Sequence, residues 1–173
     1  RFAVVLQDPF LFTSSVAENI RLGTAAISDA RIRRAAEEAR AAGFIERLPQ
    51  GYATVLQERG GGLSAGQKQL LSIARAFAFD PEFLILDEAT ANIDTETEME
   101  IREGLSRLLA GRTSLVVAHR LSTIRQASRI VVLHKGEVRE VGTHAELLAR
   151  DGLYAKLYRL QYRDQELKPA ASG

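Results

Sequence analysis

Residues 63–88 read LSAGQKQLLSIARAFAFDPEFLILDE, and the fold turns on how this stretch divides. Phe83-Leu84-Ile85-Leu86 is apolar without alternation, as expected of a central parallel strand covered on both faces. Asp80-Pro81 separates it from what precedes, because a residue before proline is driven out of the helical region. From about Ala65 to Phe79, the apolar residues Leu70, Leu71, Ile73, Ala74 and Phe77 gather on one helical face, and Ser64 is placed to cap that helix. A long helix feeding a buried strand that ends on Asp87-Glu88 is one limb of an α/β fold with a parallel sheet.

Toward the N-terminus, Phe2 to Leu6 reads as a second strand, ending at Gln7-Asp8-Pro9. Phe10 to Gly23 reads as a loop with a short helical stretch. Ser28 caps a helix expected from Asp29 to about Ala42, with Gly43 at its end, and Phe44 to Leu48 forms a further turn. Toward the C-terminus, a helix from about Thr95 to Leu109 stops at Gly111, and Leu115 to Ala118 is a third buried strand with His119 at its end. Lys135-Gly136 turns a hairpin between Ile130–Leu133 and Glu137–Val141. Thr143-His144-Ala145-Glu146 is a capping box, and Leu153 to Tyr162 is amphipathic. Ligands of parallel sheets bind beyond the carboxyl ends of the strands, which is where Gln7, Asp87-Glu88 and His119 fall.

Composition narrows the chemistry. The 173 residues are 46% hydrophobic with a formal net charge of +1, so a substantial core is available and no electrostatic footprint for nucleic acid appears. The absence of cysteine excludes disulfides, thiol catalysis and cysteine metal sites. No apolar run approaches the roughly 18 residues of a membrane span. The chain opens on the strand-like Arg1-Phe2-Ala3-Val4-Val5-Leu6 without an initiating methionine, and is expected to be a piece of a longer protein.

Adjacent carboxylates at the end of an apolar strand must be solvated or neutralised, and Mg²⁺, which prefers oxygen ligands, does this well. Asp87 is then the metal-side group and Glu88 the base that orients and deprotonates water; an ordinary solvated acidic turn is the competing explanation. Leu63-Ser64-Ala65-Gly66-Gln67 opens a helix whose free amides and partial positive charge suit a phosphate, although a serine cap after glycines serves structure equally well. His119 shares the sheet edge with Glu88, whereas His134 and His144 read as structural or solvated.

Together these stretches resemble the motifs of ATP-binding-cassette proteins, in family order from Gln7 to His119. Leu63 to Gln67 is similar to the signature, usually Leu-Ser-Gly-Gly-Gln, with Ala65 replacing its first glycine. Phe83 to Glu88 resembles the Walker B strand with its catalytic glutamate, Asn92-Ile93-Asp94 the D-loop, His119 the switch histidine and Gln7 the Q-loop glutamine. Gln7 to Phe12, Ser15 to Ile20, Glu58-Arg59-Gly60 and the C-terminal helix resemble exporter-type members with fused membrane domains. No G-x-x-x-x-G-K-[ST] phosphate loop is present; after Gly61 and Gly66, Gln67 stands where lysine is required.

The resemblance implies a partial P-loop NTPase (RecA-like) core lacking its Walker A portion, with residues 1–9 and 81–166 in the core, about 10–80 in a helical signature subdomain, and 167–173 as a loose tail. It implies ATP and Mg²⁺ as ligands, with Glu88, His119 and Gln7 catalytic, Asp87 and Gln7 on the metal, and Leu63, Ser64, Ala65, Gly66, Gln67 and Asp94 contacting nucleotide. It further implies pairing with a second nucleotide-binding domain, identical or not, and attachment to transmembrane domains at the cytoplasmic face of the cell membrane, with this piece alone inactive. DNA-repair or chromosome-maintenance relatives are the alternative, but only about 55 residues without heptads separate Gln7 from Leu63. A non-catalytic regulatory cassette is a further alternative, against which Glu88 and His119 argue.

Overall fold

The computed structural model describes residues 2–87, 95–118 and 121–166, which fall into two compact units divided between Val117 and Ala118. Glu88, Asn92, Ile93, Asp94, His119 and the expected tail at 167–173 lie outside the described residues.

The first unit contains β1 (Phe2–Val5), α1 (Val16–Arg21), α2 (Asp29–Glu38), α3 (Ala42–Glu46), α4 (Ala65–Phe79), β2 (Phe83–Asp87), α5 (Thr95–Leu109) and β3 (Thr113–Val117). The strands form a parallel sheet in the order β1-β2-β3, with Val4 opposite Ile85 and Ile85 opposite Leu115. α4 is the hub: it packs against α1, α2, α5 and β1. Leu70, Leu71, Ile73, Ala74 and Phe77 are all buried, as the helical pattern predicts. Both of its ends are fixed chemically. Ser64 caps the start, and at the other end Asp80 takes a left-handed conformation (φ 46°) while Arg31 donates to the carbonyl of Phe77 at 2.9 Å.

Two expectations need correction. Neither β2 nor the strand expected as buried at Leu115 to Ala118, which runs Thr113–Val117 as β3 and is mostly exposed, is covered on both faces by the described residues. Val5, Leu84 and Leu86 enter the core with α4, but Phe2, Val4, Phe83, Leu115 and Val117 on the other face are exposed. Apolar composition records what a strand is able to bury, and not what covers it. The helix beginning at Asp29 ends at Glu38 rather than near Ala42, and Gly43 lies inside α3 instead of terminating α2. Arg40 turns the chain with φ 63° and donates from Nε to Glu103 at 2.7 Å. Alongside, Gly104 of α5 lies so close that a Cβ there would stand 2.9 Å from the carbonyl oxygen of Ala39. The break is set by α5, which no local pattern reveals.

The second unit contains α6 (Leu121–Gln126), β4 (Ile130–His134), β5 (Glu137–Gly142), α7 (His144–Ala149) and α8 (Leu153–Glu166). α6 was not expected from the sequence. The hairpin turns through Lys135 (φ 52°) and Gly136 (φ 79°), the doubly left-handed geometry that matches strand twist. Thr143 and Glu146 form both arms of the capping box on α7. Glu140 reaches from β5 to accept from the amides of Leu153 (2.6 Å) and Tyr154 (3.1 Å), so a tertiary carboxylate caps α8. His144 is structural: its Nδ1 lies 2.7 Å from the Tyr154 hydroxyl.

Candidate active site

Because β1, β2 and β3 are parallel, their carboxyl ends share one edge. Gln7 is two residues past Val5 and exposed, while Asp87 closes β2 opposite Val117 and is half-buried. The register of Val5 with Leu86 brings the end of β1 beside the end of β2. A carboxylate and a neighbouring amide carbonyl are hard oxygen donors, and Mg²⁺ retains several waters, so this pair fits such an ion. Among the described residues no group of three or more His, Cys, Asp or Glu side chains is gathered to hold a metal. Glu88 and His119, which the sequence assigns to the same edge, are not among them.

The signature-like stretch stands at the start of α4. Ser64 Oγ accepts from the Gln67 amide at 3.2 Å, and Gln67 Oε1 accepts from the Ser64 amide at 3.0 Å. The structural reading of Ser64 is therefore realised, and it does not exclude the other. The box uses the hydroxyl oxygen as acceptor and leaves its O–H as a donor. The first main-chain bond of the helix runs from Lys68 to Ser64 at 3.1 Å, so the amides of Ala65 and Gly66 precede the ladder. Ser64 and Ala65 are exposed, Leu63 is partly buried against the core, and Gly66 is buried. The face open to an approaching anion is thus Ser64-Ala65.

A third feature lies in the exporter-like stretch, where the sequence points to Phe10 and Phe12 but not to the contacts that hold them. Phe10 and Phe12 are about half exposed, with rings 5.0 Å apart at 78°, while Leu11 between them is fully buried. Asn19, 1% exposed, accepts from the Phe12 amide (2.8 Å) and donates to the Phe12 carbonyl (3.0 Å). Arg75 of α4 donates to the carbonyls of Asn19 (3.0 Å) and Phe10 (3.3 Å). Burial lowers the pKa of its guanidinium. An asparagine between Val16 and Ile20 on the inward side of a short helix was the available signal.

The ABC transporter family model matches residues 1–91 of the 173. The chain belongs to the ABC transporter family. Within it, this ABC chain is 56% identical over 158 residues to the uncharacterised ABC transporter ATP-binding protein YfiC of Bacillus subtilis, covering 91% of this chain and 26% of that protein. It is 51% identical over 167 residues to an ATP-dependent lipid A-core flippase of Syntrophus aciditrophicus, covering 96% and 28% respectively. It is 52% identical over 163 residues to the mitochondrial potassium channel ATP-binding subunit of Mus musculus, covering 94% and 23%. The structure of a bacterial Atm1-family ABC exporter with ATP bound superposes with a TM-score of 0.82 at 41% identity, over 99% of this chain and 29% of that one. The parallel-sheet α/β architecture is accordingly that of a P-loop NTPase of ABC type. This ABC chain spans about a quarter of the length of the curated relatives it matches. Among the described residues, no helix is long and apolar enough to cross a membrane.

Proposed function

We propose that this chain is part of the nucleotide-binding domain of an ABC exporter, where it couples ATP binding and hydrolysis to movement of substrate across a membrane. The observation that carries the reading is the family match combined with two separated features suited to bind phosphate or Mg²⁺. These are the Gln7–Asp87 sheet edge and the exposed amide end of α4. The free amides at the start of α4 can receive a phosphate, and in this reading the nucleotide is shared with a second nucleotide-binding domain.

In this reading residues 1–9 and 81–166 belong to the catalytic core and about 10–80 to the signature subdomain. Asp87 and Gln7 hold Mg²⁺, which when bound neutralises phosphate charge. Glu88 positions and deprotonates the attacking water, and His119 and Asp94 complete the nucleotide contacts. Leu63, Ser64, Ala65, Gly66 and Gln67 close over ATP held by a second nucleotide-binding domain, identical or homologous. Closure passes through Gln7, Phe10, Phe12 and Glu58 to transmembrane domains, which hold the assembly at the cytoplasmic face of the membrane.

The test uses the full-length transporter. Glu88→Gln should retain ATP binding while lowering turnover by about 10²- to 10⁴-fold, the usual worth of a general base. Wild-type turnover in this variant would place the base elsewhere.

A further inference from the structure

The pair Phe10–Phe12 is unusual in being half exposed yet closely fixed. A loop free to choose would fold two phenylalanine rings inward, where each removes a large apolar area from water. Here the segment is held at three points. Leu11 is inserted against Gly60, where a Cβ would stand 2.7 Å from Leu11 Cδ1, so residue 60 must be small and left-handed (φ 69°). Asn19 binds both main-chain polar groups of Phe12 and also donates to Ser14 Oγ and the Ser15 carbonyl, each at 3.1 Å. Arg75 then ties both ends to α4. Its Nε bonds the carbonyl of Asn19, and both terminal nitrogens bond the carbonyl of Phe10 at 3.3 Å.

The acceptors of Arg75 are main-chain carbonyls, and burial lowers its guanidinium pKa by desolvation while the group stays charged. What a guanidinium adds is geometry, because its planar fork fixes two separate carbonyls relative to one helix. That helix begins at Ala65, ten residues before Arg75, so the latch stands about 15 Å along α4 from the signature-like end.

We propose that Arg75 and Asn19 are positioning residues that join the Phe10–Phe12 pair to α4 as one rigid body, so that displacement of the signature end moves the aromatic pair. The inference rests on the reading that this pair faces the transmembrane domains, and adds the device that transmits the motion. Coupling of this kind requires a demonstrated energetic link, which double-mutant cycles supply.

The experiment uses the full-length transporter in lipid vesicles with Mg-ATP as the probe. Spin labels on the two membrane halves report the ATP concentration that drives the membrane-side change, and labels on the nucleotide-binding domains report their pairing. Arg75→Lys, Asn19→Ser and Phe12→Ala should each raise the ATP concentration needed on the membrane side at least fivefold, the lower range of allosteric couplings, while shifting domain pairing less than twofold. Arg75→Lys combined with Phe12→Ala should be no worse than either alone. Hydrogen exchange at the Phe12 amide should lose protection in Asn19→Ser. Lower thermal stability in Arg75→Lys and Asn19→Ser, with a wild-type membrane-side response, overturns the latch alone. A wild-type response in Phe10→Ala combined with Phe12→Ala overturns the docking reading beneath it, and the latch with it.

Discussion

Glu140 and Gly152 show how one residue makes another necessary. The Glu140 carboxylate occupies the space beside Gly152 so closely that any Cβ there would collide with Oε1. That position lets it accept from the amides of Leu153 and Tyr154 and oppose the positive end of α8. Losing a cap of this type costs about 1 kcal/mol, so Glu140→Ala should destabilise the protein by about that amount. Gly152→Ala should displace the same carboxylate and cost about 1–3 kcal/mol by crowding. Since both remove one interaction, the double variant should be less destabilised than the sum, as chemical denaturation of all three would measure. Additive losses would mean that Gly152 serves some other purpose.

Among the elements, α7 carries a cap with a pH signature. Hydrogen bonding from the Thr143 amide, then from its hydroxyl, holds the Glu146 carboxyl below its ordinary value. A carboxyl whose pKa is depressed by folding stabilises the native state above its unfolded pKa, and this contribution disappears as pH falls through the folded pKa. The stability difference between wild type and Glu146→Gln should therefore be present at neutral pH and shrink on acidification. Thermal unfolding from pH 7 to pH 3 checks this, and a constant difference would remove the carboxylate from the account. α2 teaches a different lesson. Its early end is imposed by the approach of Gly104 to Ala39 and by the Arg40–Glu103 bond, both belonging to α5.

At the scale of the whole molecule, the described residues of the first unit cover its sheet on one face. Val5, Leu84 and Leu86 share the core with α4, while Phe2 at 74% and Leu115 at 65% exposure lie on the open face. The same one-sidedness holds for chemistry. The sheet edge offers Asp87 and Gln7, and α4 offers its amide end, but these 173 residues contain no lysine-bearing phosphate loop. In ATPases of this class that loop supplies much of the grip on phosphate. We expect the 173-residue chain alone to bind Mg-ATP weakly and to hydrolyse it negligibly. Calorimetry finding micromolar affinity would show that the sheet edge alone suffices.

The sequence by itself determined whatever local chemistry decides. α4 runs from Ala65 to Phe79 as expected because a serine cap, an apolar stripe and a proline-bounded stop all act within a few residues. The Lys135-Gly136 turn and the Thr143–Glu146 box were legible for the same reason. So was the parallel arrangement that brings Gln7 and Asp87 to one edge, since uniformly apolar strands alternating with helices allow few other sheets. Tertiary structure alone decided where α2 stops, which face of β2 is covered, and that Gly66 is buried while Ser64 is exposed. It also decided that Asn19 and Arg75, 56 positions apart, hold one loop between them. Periodicity and capping act over a few residues, whereas burial and a guanidinium's choice of carbonyls depend on chain that arrives from far along the sequence.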